Sequence, residues 1–138
     1  ADVGRLVDWF PEHQLDDGGW NCEWVEGSTR SSFHSTLNSI KGILWYEQWT
    51  GGHNALRAGR QRAQEYLLER RLLYRASTGE RVGEWVEYLA YPLRWVYTAL
   101  NVLDHLRAAS LYDGVAPDPR AADAVEIVRA ARQPDGRW

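Results

Sequence analysis

Two stretches of this 138-residue chain, about 60 residues apart, carry one apolar stripe. Phe33-x-x-Thr36-Leu37-x-x-Ile40-x-x-x-Leu44 lies over Trp95-x-x-Thr98-Ala99-x-x-Val102-x-x-x-Leu106. Spacings of three and four put each set on one face of an α-helix, and a continuous apolar face has to be covered. A second element recurs as Gly18-Gly19-Trp20, Gly83-Glu84-Trp85 and Gly136-Arg137-Trp138. Glycine permits a sharp reversal there, and the tryptophan ring can fold over the end of the preceding helix. The unit is thus a helix, a Gly-x-Trp turn and a second helix. Its length of about 60 residues signals stacked helical hairpins, of which the chain holds roughly two and a half.

Helix punctuation supports an all-α fold. Ser31 and Ser32 can cap a helix running to Trp49 and stopping at Thr50-Gly51-Gly52, because a hydroxyl accepts an orphan N–H at the start and glycine accepts a positive φ at the end. Asn54 opens a second helix, expected to reach about Tyr74 before Ser77-Thr78-Gly79. Pro92, which lacks an N–H that the first turn would not use, is expected to open a third that ends before Asp113-Gly114. Asp118-Pro119 opens a fourth that ends before Pro134, and a shorter helix covers Val3 to Phe10. Val82 to Leu89 reads as loop because of Gly83 and its flanking glutamates.

Composition narrows the function classes. The chain is 44% hydrophobic and 25% charged, the balance of a folded globular domain. No apolar run is long enough to span a bilayer, and Ala1 to Phe10 lacks the pattern of a signal peptide, so a cytoplasmic location is expected. A net charge of -3 gives no attraction for a phosphate backbone, and nucleic acid is not an expected partner. The single cysteine, Cys22, makes no internal disulfide. Against 2 Phe stand 8 Trp and 7 Tyr, large rings that must be buried or must bind something. The lack of Met and the turn-like sequence at Trp138 lead us to expect part of a longer polypeptide, or an arc that pairs with another copy.

The segment Trp9-Phe10-Pro11-Glu12-His13-Gln14-Leu15-Asp16-Asp17-Gly18-Gly19-Trp20 resembles the repeat signature of squalene-hopene and oxidosqualene cyclases, and Gln133-Pro134-Asp135-Gly136-Arg137-Trp138 resembles its second half. Gly83-Glu84-Trp85 lacks the Gln. The chain is similar in this way to the α/α-toroid superfamily of terpenoid cyclases and protein prenyltransferase β subunits. The resemblance implies tandem α-hairpin repeats forming part of an α/α toroid, over 1–138 as a single partial domain. The helices after Ser32 and Pro92 would be inner ones, and those after Asn54 and Pro119 outer ones. A full toroid has about six hairpins, more than this chain supplies.

The resemblance also directs attention to chemistry. The cyclases carry their acid in an Asp-x-Asp-Asp motif, which does not occur here, and Asp16-Asp17 is the nearest carboxylate pair. Aspartates are common in such turns for their bonds to nearby backbone. Arg30-Ser31-Ser32-Phe33-His34-Ser35-Thr36 resembles the segment in which prenyltransferase β subunits place a zinc-ligand histidine, which carries over to His34. Cys22 and Asp16 or Asp17 would complete an N, S, O donor set for zinc, but the Asp-x-Cys ligand pair of that family is absent. No cofactor is expected, and Cys22 is expected as a small buried residue.

His34, Asn38, Lys41 and Trp45 follow helical spacing and share a face, and Arg94, Thr98, Asn101 and His105 repeat it. Either these stripes line the wall of a pocket, with Lys41 and Arg94 meeting an anionic group, or they are solvated. Lys41 is the one lysine in the chain. The arginines from Arg57 to Arg75 are interleaved with Glu65 and Glu69, which suits an exposed outer helix. Trp24, Trp45, Tyr91, Trp95 and Tyr97 are candidates for an apolar lining. The substrate-binding set is therefore His34, Asn38, Lys41, Trp45, Arg94 and Trp95, with no catalytic residue assigned. The expected ligand is an isoprenoid or other apolar small molecule. A helical scaffold without an active site is the alternative.

Overall fold

A computed structural model describes residues 3–138. Five α-helices follow one another: α1 (Val3–His13), α2 (Phe33–Thr50), α3 (Asn54–Glu69), α4 (Ala99–Asp113) and α5 (Ala122–Ala130). Short 3-10 turns cover Cys22–Glu26, Glu84–Glu87 and Pro119–Ala121. Among the described residues no strand forms, and the one bridge of β type joins Tyr74 to Arg81. The fold is all-α. The chain divides into two compact units, Ala1–Tyr66 and Leu67–Trp138.

In the first unit, α2 supplies the core. Ser32 caps it by accepting from the Ser35 N–H at 3.0 Å, and Gly51 ends it in the left-handed region. Phe33, Thr36, Leu37, Ile40, Ile43, Leu44 and Glu47 are buried at helical period. Burying each of the larger apolar side chains contributes about 1.5–3 kcal/mol. Trp20 from the first turn and Leu56, Ala63 and Tyr66 are buried in the same unit.

One buried position is ionic. Glu47 and Arg60 are fully buried side chains, joined through Arg60 Nε at 2.5 Å, and Glu47 also accepts from Arg57 Nε at 3.0 Å. Arg60 further donates to Gln64 Oε1 at 2.9 Å. The expectation of an exposed arginine helix fails at Arg60, because the three-residue step from Arg57 to Arg60 turns both guanidinium groups toward one carboxylate. Deleting either partner of such a buried pair costs about 3–5 kcal/mol, since the other charge is left uncompensated.

In the second unit, two helix boundaries differ from expectation. Helix α3 stops at Glu69, and Arg71 and Leu72 take positive φ of 47° and 65°. Helix α4 begins at Ala99 and not at Pro92. Thr98 caps it by accepting from the Asn101 N–H, and Asn101 Nδ2 donates to the carbonyls of Arg94 and Val96. Carbonyls spent on that side chain hold the segment before Thr98 out of helical form. Trp95 consequently leaves the apolar stripe and lies 66% exposed, while Ala99 and Val102 remain fully buried. Three members of the Arg94 stripe are not solvated: Thr98, Asn101 and His105 are core residues.

Three loops close with related hydrogen bonds. In the first, Gly18 N donates to Leu15 O and Leu15 N to Gly19 O, both at 2.9 Å. In the last, Gly136 N donates to Gln133 O at 2.9 Å and Gln133 N to Arg137 O at 2.6 Å. The middle loop is not at Gly83, whose φ of 175° is extended backbone. It lies at Gly79, where Gly79 N donates to Arg75 O and Arg75 N to Glu80 O, both at 2.8 Å. All three glycines, Gly18, Gly79 and Gly136, take positive φ, the conformation a side chain resists. Glu84-Trp85-Val86-Glu87 instead repeats Glu23-Trp24-Val25-Glu26 in sequence, and both lie in 3-10 turns.

Candidate functional site

The site lies in the first unit. On α1, Val3, Leu6, Val7 and Phe10 fall at steps of three, one and three, one apolar helix face. On α2, Lys41, Trp45 and Trp49 form one four-residue row, and Gly42, Tyr46 and Thr50 the next. These residues, with Ile43 and Leu56, line an open groove of about 740 Å³. That volume falls within the range of small-molecule sites, about 300–1,000 Å³.

The groove wall is carbon apart from a few polar groups. Lys41 is its one charged residue, and the Thr50 hydroxyl is turned back onto the Tyr46 carbonyl at 2.8 Å. Trp45 and Trp49 stack at 5.9 Å between ring centroids and are 68% and 80% exposed. Val3 and Leu6 are also more than half exposed. A methyl group added at Gly42 would meet no atom within 4 Å, so the glycine leaves this stretch of wall open.

The structure brings Lys41 and Trp45 together in this groove and leaves the other expected site residues out of its lining. Asn38 is exposed and donates to the His34 carbonyl at 2.8 Å. His34 is half-buried, and burial pushes its pKa below the ordinary histidine value. Arg94 and Trp95 sit on the irregular segment before α4, both exposed. Of the remaining aromatic candidates, Tyr97 is buried and donates its hydroxyl to Leu72 O at 2.8 Å, and Tyr91 is exposed. Trp24 packs edge-on against His13, which stacks on Trp9 at 4.4 Å.

Apart from Lys41 and Trp45, no groove residue is in the expected set; Val3, Leu6, Val7 and Phe10, the α1 side of the lining, all lie outside it. Their signal in the sequence is the apolar spacing of α1, steps of three, one and three that mark one helix face.

The zinc donors suggested by resemblance are not gathered into one ligand set among the described residues. Asp17 accepts from the Ser31 N–H at 2.9 Å through one carboxylate oxygen and from the Ser31 hydroxyl through the other. Cys22 is exposed, against the expectation of a small buried residue. Among the described residues no three His, Cys, Asp or Glu side chains gather as a ligand set.

A second cavity, about 660 Å³, lies in the other unit beside Tyr74, Arg81, Glu87 and Asp123. Its charges are mutually paired: Arg81 with Glu87 at 2.9 Å, and Asp123 with Arg71 at 2.7 Å and with the Tyr74 hydroxyl at 2.9 Å. No helix is long and apolar enough to cross a membrane among the described residues. No family model, curated protein or solved structure matches this chain.

Proposed function

We propose that this chain is an arc of tandem α-hairpins, similar in plan to the terpenoid cyclase and prenyltransferase toroids, and that it binds an apolar small molecule of isoprenoid type in the groove between α1 and α2. The observation that carries the binding is the carbon-lined groove of about 740 Å³ with Trp45 and Trp49 left exposed along it. Exposed stacked indoles cost free energy in water that a ligand of matching apolar surface recovers. The hairpin plan draws support from the shared loop closures at Gly18, Gly79 and Gly136. The role assigned is binding, with no reaction.

Gly42 supplies the test. Gly42→Phe fills open space on an exposed helix position, so the fold is expected to survive with an unchanged far-UV circular dichroism spectrum. Farnesol, geranylgeraniol and squalene are titrated against both proteins by thermal shift. Wild type at 100 times Kd gains about 2.7 kcal/mol of stability, and the variant gains none. No shift of wild type with any of the three removes the proposal.

A second reading has support in the exposure of Val3, Leu6, Trp45 and Trp49 together: the groove is a seat for another protein surface, and the chain is a scaffold. Sedimentation equilibrium separates the two. A concentration-dependent dimer abolished by Trp49→Ser, with no lipid shift, selects the scaffold.

A further inference from the structure

We infer that the groove takes a single-chain anionic amphiphile, a medium-chain carboxylate, in one fixed orientation with its head at Lys41; this rests on the groove being a ligand site. The lining is asymmetric along α2. Lys41 stands at the end nearer the helix start, and from Gly42 to Thr50 the wall carries no charge. No carboxylate lines the groove to oppose an anion there. The ammonium carries three donors on a flexible stem, so a carboxylate can share it with other contacts.

The dimensions set the tail. Nine residue steps from Lys41 to Thr50 at 1.5 Å each make the groove about 13 Å long, room for a tail of about eight to twelve carbons. Leu6, Phe10, Trp45 and Trp49 offer that tail carbon surface. A neutral hydrocarbon of the same length would bury the tail equally and leave the ammonium facing water or its other contacts. The charge therefore sets direction and adds affinity, because a charge-assisted bond beside apolar walls is stronger than one in open solvent.

Titration calorimetry with monomeric decanoate, decanol and decyltrimethylammonium, all below micelle-forming concentrations, decides the matter on the wild-type chain. Decanoate is expected to bind about tenfold more tightly than decanol, and the cationic amphiphile more weakly than both. Lys41→Gln brings decanoate down to decanol, and Lys41→Arg retains the preference. Equal affinity for decanoate and decanol overturns the inference and leaves the apolar site standing; binding of none of the three also overturns it, and the site itself falls only where farnesol, geranylgeraniol and squalene fail as well. Capture by vesicles containing anionic lipid without binding of monomeric decanoate also overturns the inference.

Discussion

The loop at Gly18–Trp20 and the loop at Gly136–Trp138 are closed by the same bonds in opposite surroundings. In each, the indole Nε1 donates to the carbonyl ten residues earlier, Trp20 to Phe10 at 3.0 Å and Trp138 to Val128 at 2.7 Å. In each, the side chain four residues before the glycine donates to that glycine's carbonyl, Gln14 at 2.7 Å and Arg132 at 3.3 Å. Yet Trp20 is 2% exposed and Trp138 is 64% exposed. Trp20 is locked by Thr36, whose hydroxyl oxygen accepts from Trp20 N at 3.1 Å, and by Ser32 N donating to Trp20 O at 3.0 Å. Trp138 has the Arg132 guanidinium at 5.1 Å from its ring centroid. Local hydrogen bonding sets the shape of such a loop, and burial by other elements sets how much stability depends on it.

The strongest way to break the comparison is to remove each ring. Trp20→Ala empties a fully packed position and is expected to lower stability by about 3–5 kcal/mol, while Trp138→Ala loses an exposed ring and one bond, at under about 1.5 kcal/mol. Urea unfolding of both variants measures this. Equal losses would mean that the shared hydrogen bond, and not burial, dominates.

The middle residue of the turn gives the next effect. A methyl group at Gly19 would sit 2.3 Å from Thr36 Oγ1 and 2.8 Å from Ser31 Cβ. Gly19→Ala therefore forces the start of α2 away from the turn and is expected to cost about 1–3 kcal/mol. The corresponding position in the last loop holds Arg137, exposed, and Arg137→Ala is expected to cost under about 1 kcal/mol. Urea midpoints again decide it, and a neutral Gly19→Ala would show that α2 does not need this close approach.

Gln14 tests what ties the first loop to the rest of its unit. Its Nε2 donates to Gly18 O and, at 2.8 Å, to Gly59 O of α3. Gln14→Ala is expected to cost about 1–2 kcal/mol, against about 0.5 kcal/mol or less for exposed Arg132→Ala. Hydrogen exchange at the α3 amides around Gly59 localises the effect: they lose protection in Gln14→Ala and keep it in Arg132→Ala.

Much of this was legible in the sequence where a local signal settles structure. The caps at Ser32 and Asp118, the stop at Gly51 and the buried set from Phe33 to Leu44 follow from side-chain hydrogen bonding and period. What misled was a dipeptide spacing without its backbone. Gly83-Glu84-Trp85 matches the pattern of Gly18-Gly19-Trp20, but the loop equivalent to Gly18 is at Gly79, and two residues after it stands Arg81. Residue type matches Gln133 to Gln14, whereas the hydrogen bonds match Gln14 to Arg132. In the candidate site, Lys41 and Trp45 share a face because α2 runs between the caps that the sequence marks. Arg94 and Trp95 lie before the helix because α4 starts at Ala99, and the Asn101 bonds that delay it depend on a side-chain conformation that spacing does not encode.

The smallest effect concerns the aspartate one residue before each glycine. Asp17 reaches forward to Ser31 at the approach to α2, while Asp135 stays local and accepts from the Arg137 guanidinium at 2.7 Å and the Arg137 N–H at 3.1 Å. The Arg137 side-chain bond, and then its backbone N–H, hold the Asp135 carboxyl below the ordinary aspartate range. A carboxylate with a depressed folded pKa favours the folded loop above its unfolded value, near pH 4. That preference fades as pH falls through the lower folded value. Carbon-13 titration of the Asp135 carboxyl is expected to show a midpoint below that of an unfolded reference peptide, moving up toward it in Arg137→Ala but stopping short, because the backbone N–H remains. A midpoint already at the reference value in wild type would mean that the last loop is open in solution, and its likeness to the first would then end at the glycine.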